Sequence, residues 1–423
     1  MNILTLSKAF GFPIPKEKNG IAAYNLLRDY FIQQSHQNDN NKFQSPSITP
    51  TSVIQRSRHQ NEKEYNVYQR SDFTPFSLEE SFNTLYKPLG RKIPKTLLFN
   101  SGMAAISTVM FFLKNSKKLG KTYIGENAYF ETKWLVEDYR DIAFFNEYDP
   151  KISEDGRIFW LEYPINCTQP SKYPFNKIVN LKNIINKIKN LCYKMKNEKF
   201  ALVIDYTLYY LPFNITSYLL DLPDNLHVYL ITSLQKHRGY GLDLTNGGAI
   251  TFYGDKEEYE YLSRLRSIMG TSITQETIWT MPPIKANVIN KLISDSGNNA
   301  QSIYKAVSNE EYGPISFYFS QNSVFLTSFI FVEIGKSLMD KSSNKPYLSE
   351  ILINEIIRAA HKNNAIIVHG TSFGLPLTRI FKNSERYENT NSLRIAVGYD
   401  SKMNRNVDKA ISQGIKSFLK KVL

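Results

Sequence analysis

From about Thr96 the chain alternates short, continuously apolar runs with longer stretches of helical period, and this alternation limits the fold more than any other feature. KTLLFN followed by SGMAAISTVMFFLK reads as strand, turn and helix. KFALVIDY and HVYLITSL carry unbroken apolar runs, the pattern of strands buried on both faces. Ahead of them, Ile178, Leu181, Ile184, Ile185, Ile188, Leu191 and Met195 recur at helical spacing, with lysines on the opposite face. Strands separated by helices imply an α/β fold with a mainly parallel sheet covered on both sides. In such sheets, ligands gather at the carboxyl ends of the strands.

At 423 residues the chain exceeds the usual size of one domain. We expect an N-terminal segment over residues 1–84, a large domain over 85–284 and a smaller C-terminal α/β domain over 285–423. Residues from about Gln33 to Glu64 are rich in Gln, Asn, Ser and Lys and read as a loop or arm over the surface. In the last part, the run from Ile315 to Ile334 is interrupted by Ser316, Gln321, Asn322 and Glu333. It reads as two core strands around a turn and not as a membrane span. A helix near Leu348 to Asn363 and strands at AIIVHG and SLRIAVG follow, and no internal repeat is visible.

The 52 Lys and Arg outnumber the 39 Asp and Glu, for a formal net charge of +13. These positive residues are scattered, and neither zinc-finger spacing nor an aromatic-plus-basic motif accompanies them, so no nucleic-acid partner is expected. Two cysteines, Cys167 and Cys192, support neither a disulfide framework nor a Cys-rich metal site and point to a reducing, cytoplasmic setting. The apolar stretch from Met1 to Pro15, broken by Lys8 and Pro13, does not read as a secretory leader.

The chemistry concentrates where strands end. In ITSLQKHRGYGLDLTNGGAI, a buried strand ending near Ser233 delivers Lys236 into a glycine-rich turn at Gly239 and Gly241. Desolvation there favours the neutral amine, as a Schiff-base lysine requires, although a solvated lysine also fits such a position. Asp205 ends the apolar run ALVI, an unfavourable place for a carboxylate unless it is paired. It suits the partner that keeps the ring nitrogen of pyridoxal phosphate protonated, and equally a turn-capping aspartate. The turn NSGMAAI places Ser101, Gly102 and Met103 where the N–H groups of a helix start converge, as a phosphate site or simply an N-cap needs.

Eight short motifs occur in order between Tyr68 and Gly398: Tyr68-Gln69-Arg70, Ser101-Gly102-Met103, Tyr129-Phe130-Glu131-Thr132, Glu162-Tyr163-Pro164-Ile165-Asn166, Asp205-Tyr206-Thr207, Ser233-Leu234-Gln235-Lys236, Thr371-Ser372-Phe373-Gly374 and Leu393-Arg394-Ile395-Ala396-Val397-Gly398. In this order the chain resembles the fold-type I pyridoxal 5'-phosphate enzymes of cysteine and methionine metabolism, the group of the cystathionine synthases and lyases and methionine γ-lyase. The resemblance implies a large, mainly parallel seven-stranded sheet domain with a smaller C-terminal domain. It also implies elimination or replacement at the β or γ carbon of a cysteine-, homoserine- or methionine-type amino acid through a Lys236 Schiff base.

On the same resemblance, Ser101, Gly102, Met103 and Ser233 take the cofactor phosphate, and Asp205 and Thr207 lie at the ring. Tyr129 stacks on the ring and moves protons, and Asn166 sits near its hydroxyl. Tyr68 and Arg70 reach the phosphate of a neighbouring subunit, which makes the N-terminal segment an intersubunit arm and the protein a homodimer or homotetramer. Arg394 grips the substrate carboxylate, a role that suits a bidentate guanidinium. Ser372 and Glu131 also belong to the substrate side. Glu131 stands where the group usually has a small residue or a cysteine; it either faces the substrate or turns to solvent at the start of a helix.

Departures bear on the reaction. Gln235 replaces a threonine beside the lysine, Tyr206 replaces an asparagine, Phe73-Thr74-Pro75 stands in place of Asn-Pro-Thr, and no Arg-Gly-Leu-Lys-Thr-Leu segment is recognisable near Met281-Pro282-Pro283. An aminotransferase or a carbon–carbon bond-forming enzyme of secondary metabolism is the alternative on the same machinery. A protein that kept the fold as a binding module would have no physical need for Lys236, Asp205, Tyr129 and Arg394 together.

Overall fold

A computed structural model describes residues 2–15, 20–39, 76–115, 120–136, 141–164, 179–208, 217–321, 326–341, 347–383 and 392–423. Seven strands, β1 (Lys95–Phe99), β2 (Lys121–Gly125), β3 (Ile142–Phe145), β4 (Gly156–Glu162), β5 (Phe200–Asp205), β6 (Leu226–Ser233) and β7 (Gly248–Tyr253), form one sheet in the order β1-β7-β6-β5-β4-β2-β3. Strand β7 pairs antiparallel with both β1 and β6, and the remaining pairings are parallel. The unbroken apolar runs follow from this position. In β5, Leu202 and Ile204 enter one core while Ala201 and Val203 enter the other, so no position is left for a polar residue.

Helices cover both faces. Helix Leu181–Lys194 buries Leu181, Ile184, Ile185, Ile188, Leu191 and Cys192 on one side, as its period requires. Its N-cap is Asn180, whose side chain accepts from the Asn183 N–H. Helix Gly102–Asn115 packs Ala104, Ala105, Val109 and Leu113 into the other core. No helix of the described residues is long and apolar enough to cross a membrane.

A second sheet has the order β10-β11-β12-β9-β8, from β8 (Ile315–Gln321), β9 (Leu326–Ile334), β10 (Ile367–His369), β11 (Thr378–Asn383) and β12 (Ser392–Ala396). The segment expected to form two strands does so, with β8 and β9 antiparallel. Helices Ala286–Ser308, Leu348–Lys362 and Val407–Val422 bury this sheet through Ala300, Ile303, Ile356, Ile411 and Ile415.

The N-terminal segment differs in part from its expectation. Residues Gln33 to Asp39, read as loop, continue helix Gly20–Asp39. That helix is held through Ala23, Tyr24, Leu27 and Phe31, which pack with Val288, Ile289 and Leu292 of the same chain. A helix nucleated by those contacts extends past its last apolar residue, because propagation costs little once the first turns are fixed. Further along, helix Phe76–Asn83 joins the large sheet: buried Glu79 accepts from the Leu98 N–H at 2.9 Å and from buried Arg266.

Candidate active site

Parallel strands β4, β5 and β6 end at one edge, and the residues at or just past their ends surround a cavity of about 430 Å³. Its wall includes Ser101, Gly102, Met103, Tyr129, Glu131, Glu162, Asp205, Thr207, Ser233, Gln235, Lys236, Asn246 and, from the second sheet and its loops, Thr371, Phe373, Phe381 and Arg394. Residues separated by almost 300 positions thus meet because parallel strands and a second domain converge there.

Asp205 ends β5 in register with Glu162 of β4, each 6% exposed. The Thr207 N–H donates to Asp205 Oδ1 at 3.0 Å, while Thr207 Oγ1 accepts from the Ser233 N–H at 2.9 Å, so one threonine ties the ends of β5 and β6 together. Burial pushes the Asp205 carboxyl up, opposed by the Thr207 bond.

Lys236 lies three residues past the end of β6. Its Nζ donates to Ser372 Oγ at 3.1 Å and lies 5.4 Å from the centre of the Phe373 ring. Burial, then the Arg394 guanidinium, pulls its ammonium down to about 8. Two glycines hold this arrangement. Gly241 has φ +64°, and a Cβ there would meet Gly374 O at 2.1 Å, so only glycine lets the lysine turn lie against the 371–374 loop. Gly102, at the start of its helix, would bring a Cβ to within 3.1 Å of Ser233 Cβ.

Ser101 caps that helix, accepting from the Ala104 N–H at 3.0 Å, so the two readings of Ser101 hold together: it is a cap, and it is on the cavity wall. The helix is 14 residues long, and its first N–H groups open toward a space lined by Ser233 and Gln235. Gln235 Nε2 donates to Asp243 Oδ1 at 3.1 Å, and Arg379 stands 3.8 Å from the other Asp243 oxygen. Arg394, 8% exposed, donates to the Thr371 carbonyl and stacks 5.1 Å from the Phe329 ring centre. Burial pulls it down to about 10, with Tyr129 and Glu162 acting in the other direction. Tyr129 is pushed up by burial and then by the neighbouring Glu131 carboxylate. Glu131 itself lies in the first turn of helix Phe130–Val136 and on the cavity wall at once.

Of the residues singled out by sequence, Ser101, Gly102, Met103, Tyr129, Glu131, Asp205, Thr207, Ser233, Lys236 and Arg394 line this cavity, and Ser372 meets Lys236. Tyr68, Arg70 and Asn166 lie outside the described residues. Glu162, Asn246 and Phe381 are on the wall although sequence reasoning gave them no role. For Glu162 a signal was present, a carboxylate closing an apolar strand just as Asp205 does. Elsewhere, at the amino end of β6, His227 stands 2.5 Å from Glu258 and 3.6 Å from Asp255, with Lys199 2.9 Å from Asp255. An ammonium already neutralises that cluster, which marks it as an ion-pair network.

The donor set suits pyridoxal phosphate: helix-start N–H groups for a phosphate, a buried carboxylate for a ring nitrogen, an aromatic side chain, and an amine held near neutrality. Glycine at position 102 lets the helix start pack closely against Ser233 at the end of β6.

No protein-family model matches the chain. Among curated proteins it is similar to the bifunctional enzyme flvA of Aspergillus flavus, 24% identical over 338 residues, which make up 77% of this chain and 39% of that protein. The chain spans about two fifths of the length of this curated relative. Among solved structures it is similar to cystathionine γ-lyase from Lactobacillus plantarum complexed with L-serine, with a TM-score of 0.58 and 14% identity over 90% of this chain and 93% of that one. CalE6, a methionine γ-lyase from Micromonospora echinospora, gives 0.57 and 14% over 85% and 90%. Cystathionine γ-synthase from Xanthomonas oryzae pv. oryzae in complex with cystathionine gives 0.57 and 14% over 85% and 88%. The chain therefore has the fold of these three enzymes, the fold-type I architecture.

Proposed function

We propose that the protein is a pyridoxal-phosphate enzyme that eliminates or replaces a group on the β or γ carbon of an amino acid of the cysteine, homoserine or methionine type. The observation that carries this reading is the pairing of Lys236 and Asp205 across one cavity from adjacent parallel strands, over the start of a helix. When bound, the cofactor supplies an electron sink for the bonds at the substrate α carbon.

Ser101, Gly102, Met103 and Ser233 hold the phosphate, and Asp205, fixed by Thr207, holds a proton on the ring nitrogen. Lys236, with its ammonium brought to about 8, gives up its proton far more readily than an ordinary lysine and so offers a neutral amine for covalent attachment; released, the same amine carries protons between substrate carbons. Tyr129, pushed up, keeps its phenol proton at neutral pH and covers the ring as a donor. Arg394 binds the substrate carboxylate, its position set by the Thr371 carbonyl and the Phe329 face. Glu131 faces the substrate side chain and favours one with a cationic or hydrogen-bond-donating end.

Tyr68 and Arg70 complete the phosphate site of a neighbouring subunit in a homodimer or homotetramer. The setting is the cytoplasm, which the free, buried thiol of Cys192 supports.

Purified protein mixed with pyridoxal phosphate should develop a visible absorbance band. Borohydride should abolish the band and leave the cofactor mass on the peptide containing Lys236. A protein that gains neither band nor mass is not an enzyme of this kind. Amino acids that perturb the band then identify the substrate class, and mass spectrometry of their products separates loss or exchange of a side-chain group from transamination or carbon–carbon bond formation.

A further inference from the structure

Glu162 has no place in the chemistry so far, yet it ends β4 beside Asp205 and lines the same cavity. Its Oε2 is sealed from solvent and, among the described residues, has no hydrogen-bond partner, whereas Asp205 Oδ1 receives the Thr207 N–H. Two buried carboxylates on paired strand ends cannot both ionise at moderate cost, and the hydrogen-bonded one keeps the charge. The groups facing Glu162 divide by sign. Asp205 on β5 and Glu147 after β3 oppose its ionisation, while Arg394 on β12 and Lys133 on helix Phe130–Val136 favour it; Tyr129, which keeps its proton, adds no charge. Arg394 is itself shared with Tyr129, so its charge does not serve Glu162 alone.

We propose that Glu162 is a second acid of the site, kept uncharged beside the ionised Asp205 and donating its carboxyl proton to the ligand that Asp205 holds. As a carboxylic acid it has one O–H to give, the side chain that carries it lies on the cavity wall, and among the described residues no group is hydrogen-bonded to its Oε2. A ring oxygen of pyridoxal phosphate is the class of acceptor that fits. The charge state rests on this chain's residues alone, and the identity of the ligand rests on the proposed function. The uncharged acid also leaves Asp205 as the single negative charge against the ring.

Burial raises Glu162 well above the usual carboxylate range, with Asp205 and then Glu147 adding to it. The infrared difference between wild type and Glu162→Gln at pH 7.5, with no cofactor added, should therefore contain the carbonyl stretch of a protonated carboxyl and no carboxylate stretch. In pyridoxal-phosphate titrations, Glu162→Gln keeps a donor and should bind within about threefold of wild type, whereas Glu162→Met, of similar volume but with no donor, should bind at least about tenfold more weakly, the effect of one lost hydrogen bond in a dry site. A carboxylate stretch in the difference spectrum overturns the proposal, as does equal affinity of the Gln and Met variants. A wild-type protein that binds no pyridoxal phosphate overturns the proposed function and the donor role with it, while the infrared result still decides the charge of Glu162.

Discussion

Glu79 and Arg266, 3% and 1% exposed, meet at the backbone of Leu98, whereas Asp205, Glu162, Lys236 and Arg394 crowd one cavity wall. At Leu98 the carboxylate accepts from a backbone N–H and from the guanidinium, and the guanidinium donates to the Leu98 carbonyl at 3.2 Å. Opposite charges answer each other there, which ties helix Phe76–Asn83 and helix Lys256–Ile268 to β1. In the cavity, Lys236 touches a hydroxyl and an aromatic face and, among the described residues, no carboxylate within ion-pair range, and Asp205 has a backbone amide as its neighbour. Matched charges make a joint; Lys236 and Glu162, less well matched, shift their protonation instead.

Lys236→Ala should give the largest effect, a fall in turnover of at least about 10³-fold, because in the proposed function one side chain both attaches the cofactor and moves protons. Thermal stability should hold or rise, since the variant removes a buried ammonium. The pH dependence has a definite sign. The folded state lowers Lys236 from 10.5 to about 8, so between those values the unfolded chain binds more protons. Stability from this group is therefore present above pH 10.5, lost as pH falls through about 8, and absent as a slope in Lys236→Ala. Full turnover in that variant would break the comparison outright.

At the other place, Glu79→Ala should lower the unfolding free energy by about 3 kcal/mol, because it strands a buried guanidinium. Denaturant melts measure this, and the double variant Glu79→Leu with Arg266→Met should recover most of the loss. Activity per folded molecule should not change. A Glu79→Ala protein of unchanged stability would show that the joint holds nothing.

Arg394→Lys tests whether the cavity cation binds through geometry or only through charge. Losing the forked contact should raise KM for the amino acid by about 30-fold, near 2 kcal/mol, with a smaller change in kcat. Equal changes in kcat and KM would instead place Arg394 in the reacting geometry.

The smallest expected effect belongs to Glu131→Gln, about a tenfold fall in kcat/KM toward the true substrate, near 1.4 kcal/mol. Unchanged kinetics at unchanged stability would return Glu131 to its second role, a charge in the first turn of its helix.

Much of the molecule is legible without coordinates. The run ALVI with Asp205 at its end, the run HVYLITS with Lys236 three residues past it, and the turn at Ser101 are local patterns whose causes are local: apolar residues that fit both faces of a buried strand, and a hydroxyl that caps a helix. Helix Gly20–Asp39 is not legible in the sequence, and its residues from Gln33 on read as loop because the apolar residues stop at Ile32 and nothing in the Gln- and Asn-rich stretch that follows distinguishes a continued helix from a loop. Glu162 was quoted only as part of a motif, since a carboxylate at the end of a strand says nothing about which strand lies next to it.

By itself, the sequence determined the main strands and several helices, the parallel sheet and the strand ends where the candidate residues stand, because hydrophobic period and turn residues act over a few positions. Only the tertiary structure decided which charges meet. Strand order set Glu162 beside Asp205, and the packing of the second sheet's loops against the lysine turn set Ser372, Phe373 and Arg394 around Lys236. Electrostatic effects depend on distance through space and on the exclusion of water, and neither quantity is written along the chain.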